Sequence, residues 1–252
     1  MIGVKGAAMG EKLVLDGVDK SFLWEGADVE VLKNFSLYVN DFEFVSLLGP
    51  SGCGKSTVLK LISGLIQPDR GSITYSPHLK KVSFMPQDDL LLPWRTVMEN
   101  ACIPLEIAGV SKKEAKHRAG KLLDLFGLAG FENSYPSQLS GGMRQRVAVM
   151  RTFLHQGDIF LLDEPFGRLD ALTRLKMQMW LLKVWQEFRQ SVLFVTHDIE
   201  EAIFLSDRIY LMTERPGTVK EEVYVNLPRP RGEEILTSPE FVAQKKLILS
   251  ML

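Results

Sequence analysis

From Gly49 to Thr57 the chain reads GPSGCGKST, which contains G-x-x-x-x-G-K-S. The apolar stretch FVSLL runs into it and an apolar helical pattern leaves it, the context a phosphate-binding loop requires, although four matched positions alone would also describe an ordinary glycine turn. In the functional reading Gly49, Pro50, Ser51, Gly52, Cys53 and Gly54 curl so that backbone amides point inward, and the following helix adds its positive end. Lys55 then reaches the β- and γ-phosphates, Ser56 ligates Mg2+ and Thr57 closes the loop. Farther on, DIFLLDEP ends an apolar run on two adjacent acids, Asp163 and Glu164. Such a pair is either a solvated strand end or, if buried, repels itself until a cation or a reactive water uses it. The second alternative gives Asp163 to the Mg2+ and makes Glu164 the general base for an attacking water.

A third segment, LSGGMRQR at Leu139–Arg146, opens a helical pattern with Ser140 as N-cap and with Gly141 and Gly142 where the backbone could approach another group closely. Alone it reads equally as a capped helix after a tight turn. Gln87 ends one short strand pattern and His197 another; each alone is a polar residue at a strand end. Phe22 in VDKSF and Trp24 two residues on are aromatic residues in a strand pattern, where core packing is the ordinary role.

Taken in order, GPSGCGKST, Gln87, LSGGMRQR, FLLDEP and His197 in VTHDIEEA resemble the nucleotide-binding subunit of ATP-binding cassette (ABC) transporters over Leu13 to Met212. The resemblance implies that Gln87 contacts Mg2+ or water and senses the γ-phosphate. It implies also that His197 hydrogen-bonds that phosphate, that Phe22, or failing it Trp24, stacks on adenine, and that Asp170 communicates across a dimer interface. Two copies would bury ATP between the loop of one and Ser140, Gly141 and Gly142 of the other, so ATP and Mg2+ are the expected cofactors. The chain departs from the pattern at Arg168 in GRLD, where a small residue is usual and a long cation puts the local packing in question, and at Met143, where glutamine is commonest. DDLLLPWRTVMEN and NLPRPR look most like the nitrate, sulfonate and taurine importer branch. By that likeness Leu91, Leu92, Pro93 and Trp94 line a groove for a helix of a multi-span membrane permease, with internal packing as the alternative for Trp94. A solute-binding protein would be an indirect partner, and the chain would work peripherally at the cytoplasmic face of the membrane.

These groups need a scaffold. LVLDGV, VEVLKNFSLYV and FEFVSLLG alternate as strands, and STVLKLISGLI has helical spacing up to Gln67 and Pro68. GSITY and KVSFM are two further strands. Helical patterns cover Thr96 to Ile107, Ser111 to Phe126 and Gly141 to Leu154. DIFLLDEP, SVLFVT and RIYLM are strands, separated by a long helix from Ala171 to Phe188 and a short one after His197. The expected fold is α/β: a P-loop NTPase core of the ABC ATPase kind with a mostly parallel sheet, an N-terminal antiparallel β subdomain and an inserted helical subdomain. One domain over 1–252 would divide into a core with its β subdomain (1–87 and 156–215), a helical signature subdomain (88–155) and a C-terminal tail (216–252) whose last part is helical.

Composition narrows the partners. With 30 Lys and Arg against 31 Asp and Glu, the net charge is −1, so the chain has no overall basic field with which to hold nucleic acid, and none is expected. The two cysteines, Cys53 and Cys102, are too few for a disulfide framework and fit a reducing compartment; Cys53 in particular is expected among the phosphate-facing amides, within reach of a maleimide. No apolar run approaches the roughly 18 residues of a bilayer span, and the opening MIGVKGAAMGEKLVLDG lacks a sustained apolar stretch, so a secreted or membrane-spanning chain is not expected. Two rivals are a soluble ABC ATPase working in assembly, of the iron–sulfur scaffold type, and a small-molecule kinase; the kinase leaves LSGGMRQR unexplained. A DNA-maintenance ATPase would need a heptad-rich insertion and basic surfaces.

Overall fold

The computed structural model describes residues 10–79 and 81–252; the opening stretch before Gly10 lies outside them. β1 (Glu11–Trp24) and β2 (Ala27–Asn40) form a long antiparallel hairpin whose two-residue turn, Glu25 and Gly26, has both φ angles positive, the geometry that matches strand twist. β3 (Phe44–Leu48) runs into the glycine loop and α1 (Lys55–Ile62). β4 (Arg70–Tyr75) returns to pair with β1, completing a three-stranded sheet in the order β2-β1-β4, and β5 (Val82–Met85) follows.

Between β5 and β6 (Ile159–Asp163) the chain is helical: α2 (Val97–Ile107), α3 (Lys112–Gly120), α4 (Leu123–Phe126) and α5 (Gly141–Leu154). Then come α6 (Ala171–Phe188), β7 (Ser191–Thr196), α7 (Ile199–Leu205), β8 (Arg208–Met212), β9 (Val219–Tyr224) and α8 (Pro239–Met251). The second sheet has the order β5-β6-β7-β3-β8-β9, parallel except for β9 at the edge.

Side-chain alternation assigns the faces of this sheet. Phe44 and Leu48 of β3, with Phe160, Leu162 and Phe194, pack among the helices α5 to α7. Val45 and Leu47, with Ile159, Leu161, Leu193 and Val195, pack against α1 and the hydrophobic side of β1 and β2. Both faces are thus covered, as a parallel sheet requires. The carboxyl ends of β5, β6, β7 and β3 lie side by side, and the residues that follow them are Gln87, Asp163 with Glu164, His197 and the glycine loop.

The local departures from the sequence reading have physical causes. α1 ends at Ile62, not near Gln67, because Gly64 takes a left-handed φ of 74° and Leu65 N–H donates to the Lys60 carbonyl (3.0 Å), a Schellman closure. The single helix expected over Ser111–Phe126 breaks into α3 and α4 just after Gly120, a residue that weakens a helix from within. VKEEVY is a strand, β9, half of whose residues face solvent, so little hydrophobic alternation marks it.

Candidate active site

The loop closes on itself. Gly52 and Gly54 have φ of 79° and 110°, conformations that other residues rarely adopt, and a Cβ on Gly54 would come within 2.8 Å of Leu32. The buried Lys55 donates from Nζ to the carbonyls of Gly49 (2.7 Å) and Pro50 (2.8 Å), and its ammonium lies 3.9 Å from Oε1 of Glu164. Ser56 Oγ donates to Asp163 Oδ1 at 3.0 Å, joining the first turn of α1 to the end of β6. Burial pushes the Asp163 carboxyl up from its ordinary range; the Ser56 hydrogen bond opposes this and the negative charge of Glu164 adds to it.

Glu164 follows β6 with a left-handed φ of 43°, an uncommon backbone state for a residue with a Cβ. Its own N–H donates to the Val195 carbonyl (3.0 Å) and its carbonyl accepts from Gly167 N–H (3.1 Å), which hold the turn in place. The side chain then lies between Lys55 and His197, whose Nδ1 is 3.1 Å from Glu164 Oε2. His197, half exposed, is anchored from behind. Asp198 caps α7 by accepting from Glu201 N–H (3.1 Å), and Thr196 Oγ1 accepts from Asp198 N–H (3.0 Å) while bonding to the buried Glu201 carboxyl, which also takes a bond from Gln178 (3.1 Å). Burial pushes Glu201 up from 4.5 to about 7.

A cleft of about 790 Å³ opens beside these groups. Its wall includes Phe22, Trp24, Ser51, Gly52, Gly54, Lys55, Ser56, Thr57, Gln87 and Glu164, so both candidate aromatic residues reach it. Lys60 and Arg215 also border it, leaving Glu164 as the sole acid among the lining residues. The loop's Cys53 departs from expectation. Its thiol is buried beneath the loop with Sγ 3.9 Å from Met212 Sδ, and burial raises it against the pull of Lys55, so it is neither phosphate-facing nor a ready maleimide target.

Ser140, Gly141, Gly142 and Asp170 are not in the cleft wall. Ser140 N-caps α5, accepting from Met143 N–H (3.3 Å), and Asp170 N-caps α6, accepting from Thr173 N–H (3.0 Å). A Cβ on Gly142 would meet the Thr173 methyl at 3.2 Å, so this glycine lets α5 pack closely on α6 and brings the two helix starts together. Arg168 does not disturb that packing. It turns outward to Asp88 (2.6 Å), while Phe166 and Leu169 beside it are buried. Met143 packs, partly buried, against the helical core.

The segment after Gln87 is fixed by residues that sequence reasoning passed over. Fully buried Asn100 accepts from Leu92 N–H (2.8 Å) and donates to the carbonyls of Leu92 (3.1 Å), Arg95 (2.9 Å) and Thr96 (3.1 Å). Arg151 donates to the carbonyls of Asp89 and Leu90, and Arg144 lies 3.4 Å from Asp89. An asparagine at an apolar helix position was the available signal. Leu91 packs against the core and Trp94 is exposed, beside Arg95, Glu99 and Glu106 in a polar hollow, whereas a more apolar groove nearby runs past Leu65, Phe84, Ile103, Pro104, Ile107 and Val110. It does not include Leu91–Trp94.

Oxygen donors at Ser56 and Asp163 suit a hard divalent cation that takes its remaining ligands from phosphate and water. The described residues hold no cluster of three or more His, Cys, Asp or Glu that could bind a metal alone. No helix among them is long and apolar enough to cross a membrane.

A family pattern described as ABC transporter matches residues 32–167. An ABC transporter ATP-binding protein of Methanocaldococcus jannaschii is 44% identical over 96% of this chain and 91% of its own length. The aliphatic sulfonates import ATP-binding protein SsuB of Bacillus cereus is 42% identical over 93% of each chain. The nitrate import ATP-binding protein NrtD of Synechocystis is 38% identical over 95% of this chain and 94% of its own. Among solved structures, a dimeric bacterial ABC transporter cassette superposes with a TM-score of 0.74 at 33% identity, covering 86% of this chain and all of that one; the same figures hold for its post-hydrolysis state bound to ADP and Pi. A pattern matched over more than half the chain, and relatives aligned along nearly all of it, reach the conclusion already suggested by the order of the motifs: the chain belongs to the ABC transporter family.

Proposed function

We propose that this chain is the ATP-hydrolysing subunit of an ABC importer, working as a pair of identical copies beneath a multi-span permease at the cytoplasmic face of the membrane. One observation carries the catalytic half: Lys55, Ser56, Asp163, Glu164 and His197 converge through contacts of 3.0 to 3.9 Å at the carboxyl ends of adjacent parallel strands. In an open parallel sheet that edge is where ligands bind.

The roles follow from the chemistry of each group. The loop amides from Gly49 to Thr57 and Lys55 hold the phosphates, and Phe22 or Trp24 stacks on adenine. Ser56 and Asp163, with the Gln87 amide, would hold Mg2+, which when bound neutralises phosphate charge. Glu164 accepts a proton from water as the water oxygen bonds to the γ-phosphorus and the bond to the bridging oxygen breaks, leaving ADP and phosphate. His197, paired with Glu164, donates to the γ-phosphate. Ser140, Gly141, Gly142 and Asp170 stand outside their own cleft, which supports their acting on the nucleotide of the other copy.

In this proposal the chain divides into a catalytic core with its β subdomain over 1–87 and 156–215, a helical subdomain over 88–155 and a tail over 216–252. The exposed Leu65 and Ile107 beside Phe84 and Ile103 form the apolar groove for a permease helix, a mode in which an amphipathic helix beds its apolar face. The solute is of the nitrate, sulfonate or taurine class, delivered by a solute-binding protein. The assembly reading has no comparable support.

The test is Glu164→Gln in the full chain. The amide keeps the shape but cannot take the proton, so MgATP binding persists, turnover falls at least about 100-fold, and MgATP drives the variant to dimers in sedimentation. Hydrolysis within a few-fold of wild type would falsify the role of Glu164, and an ATP-saturated monomer would overturn the shared site.

A further inference from the structure

Arg168, where the family pattern has a small residue, lies outside the cleft wall. Its loop, between β6 and α6, is fixed at the base. Gly167 N–H donates to the Glu164 carbonyl (3.1 Å) and Leu169 N–H to the Phe166 carbonyl (3.1 Å), while Phe166 and Leu169 are buried. The Arg168 side chain is 69% exposed yet directed, with Nη1 2.6 Å from Asp88 Oδ1. Asp88 directly follows Gln87, and Arg168 stands two residues before Asp170. One ion pair therefore joins the segment that leaves Gln87 to the loop that leads into Asp170.

The next acid makes a parallel link. Asp89 lies 3.4 Å from Arg144 of α5, whose Nη1 also donates to the Leu139 carbonyl (2.9 Å), beside Ser140. Consecutive acids after Gln87 thus reach, one each, the two places where α5 and α6 begin, at Ser140 and at Asp170. An exposed ion pair such as that of Asp88 and Arg168 adds little to the stability of a single chain, because water screens it and two long side chains must be ordered. Where water is excluded the same pair strengthens. In the proposed dimer the loop before Asp170 faces the other copy, so closure is the event that would dry this pair.

We propose that Arg168 is a positioning residue: through Asp88 it locks the Gln87 segment to the loop before Asp170 when two copies close on MgATP, and so sets the rate of hydrolysis and not the affinity for nucleotide. This rests on the reading of Gln87 and Asp170 as groups that serve the two nucleotides of a dimer.

The test is a charge cycle in the full-length protein. The kcat for MgATP hydrolysis is measured in each variant, and the Kd for MgATP by calorimetry with Glu164→Gln added to suppress turnover. Asp88 and Arg168 are both exposed, so their replacement leaves the core intact. Arg168→Ala and Asp88→Asn each lower kcat about fivefold, the upper range for one solvent-facing pair, while Kd stays within about twofold of wild type. The variant carrying both changes is no slower than either alone, because the second change removes a partner already lost. Exchanging the charges, Asp88→Arg with Arg168→Asp, restores at least half of the wild-type kcat. Single variants that turn over at the wild-type rate overturn the proposal. So do losses that multiply in the combined variant, which would mean that the two residues act separately, or an exchanged pair no faster than the single variants. A loss of MgATP affinity equal to the loss in kcat also overturns it, by placing Arg168 in the binding surface. Glu164→Gln alone, assayed beside them, keeps the two readings apart: if it hydrolyses ATP at the wild-type rate, the failure lies with the assigned site and not with Arg168.

Discussion

Glu201 offers a sharp test of how the switch end of the site is held. It is buried, bonded to Thr196 and Gln178, and burial raises its carboxyl from 4.5 to about 7. A raised carboxyl pKa means that folding favours the protonated form. The contribution is therefore complete below pH 4.5, where both states are protonated, and is lost as pH climbs toward and through about 7. With those two values, linkage makes the folded state about 2–3 kcal/mol less favoured at pH 8 than at pH 5 through this one group. Glu201→Gln deletes the titration but keeps an amide that can accept from Gln178 and donate to Thr196 Oγ1. The informative quantity is the difference in Tm between variant and wild type at each pH, because any fixed cost of imperfect hydrogen bonding cancels from its slope. At about 2 °C per kcal/mol for a chain of this size, that difference shifts in favour of the variant by about 5 °C between pH 5 and pH 8. Scanning calorimetry on the nucleotide-free protein measures it. A difference that stays flat across this range would show that Glu201 is ionised in the fold at neutral pH, and the account of its environment would fail.

Two other substitutions probe what positions the site. Arg208, with no exposed surface, donates two bonds to Glu43 (2.7 and 2.8 Å) and one to Glu222 (2.9 Å), and lies 3.8 Å from the Tyr38 ring centre, so Arg208→Met strands the two acids and costs about 3–5 kcal/mol, seen as a lowered urea midpoint with the m-value unchanged. A loss below about 1 kcal/mol would mean the acids find water instead. Asn100→Ala removes four hydrogen bonds from the segment after Gln87 and costs about 2–4 kcal/mol, and amide exchange at Leu92 accelerates more than exchange in β3. Uniform acceleration through the chain would show only global destabilisation.

The parts that were legible in the sequence are those in which a side chain's type is repeated by its surroundings. β3, β6 and β7 are buried on both faces and read as mostly apolar runs, and the loop between β3 and α1 needs glycine at positions of positive φ. Asn100, Arg151 and Arg231 were invisible for the opposite reason: each bonds backbone carbonyls, and a carbonyl leaves no trace in the sequence. Arg231 is the clearest instance. It donates to the carbonyls of Ile203, Phe204 and Ser206 at the end of α7, which gives the segment NLPRPR a structural task in addition to its likeness to one importer branch. The choice between Phe22 and Trp24 stayed open because a hairpin tip exposes both, and strand alternation alone sends them to one side.

α7 is where these threads join. Its first turn is capped by Asp198, which follows His197, and its last carbonyls are taken by Arg231. Within it, Glu201 ties Thr196 to Gln178 of α6, the helix that begins at Asp170. Arg174 of the same helix lies 3.5 Å from Asp198 and donates to the Leu169 carbonyl (3.1 Å), next to Asp170. Contacts through Thr196, Glu201, Gln178, Arg174 and Asp198 therefore join the segment that carries His197 to the one that precedes α6. On the proposed reading the two regions belong to opposite sides of the dimer: His197 would act on the chain's own nucleotide, and Asp170 with Ser140 would face the other copy. In the proposed dimer these contacts, buried at Thr196, Glu201 and Gln178 and part-buried at Arg174 and Asp198, would connect the side of each subunit that holds one nucleotide to the surface that meets the second.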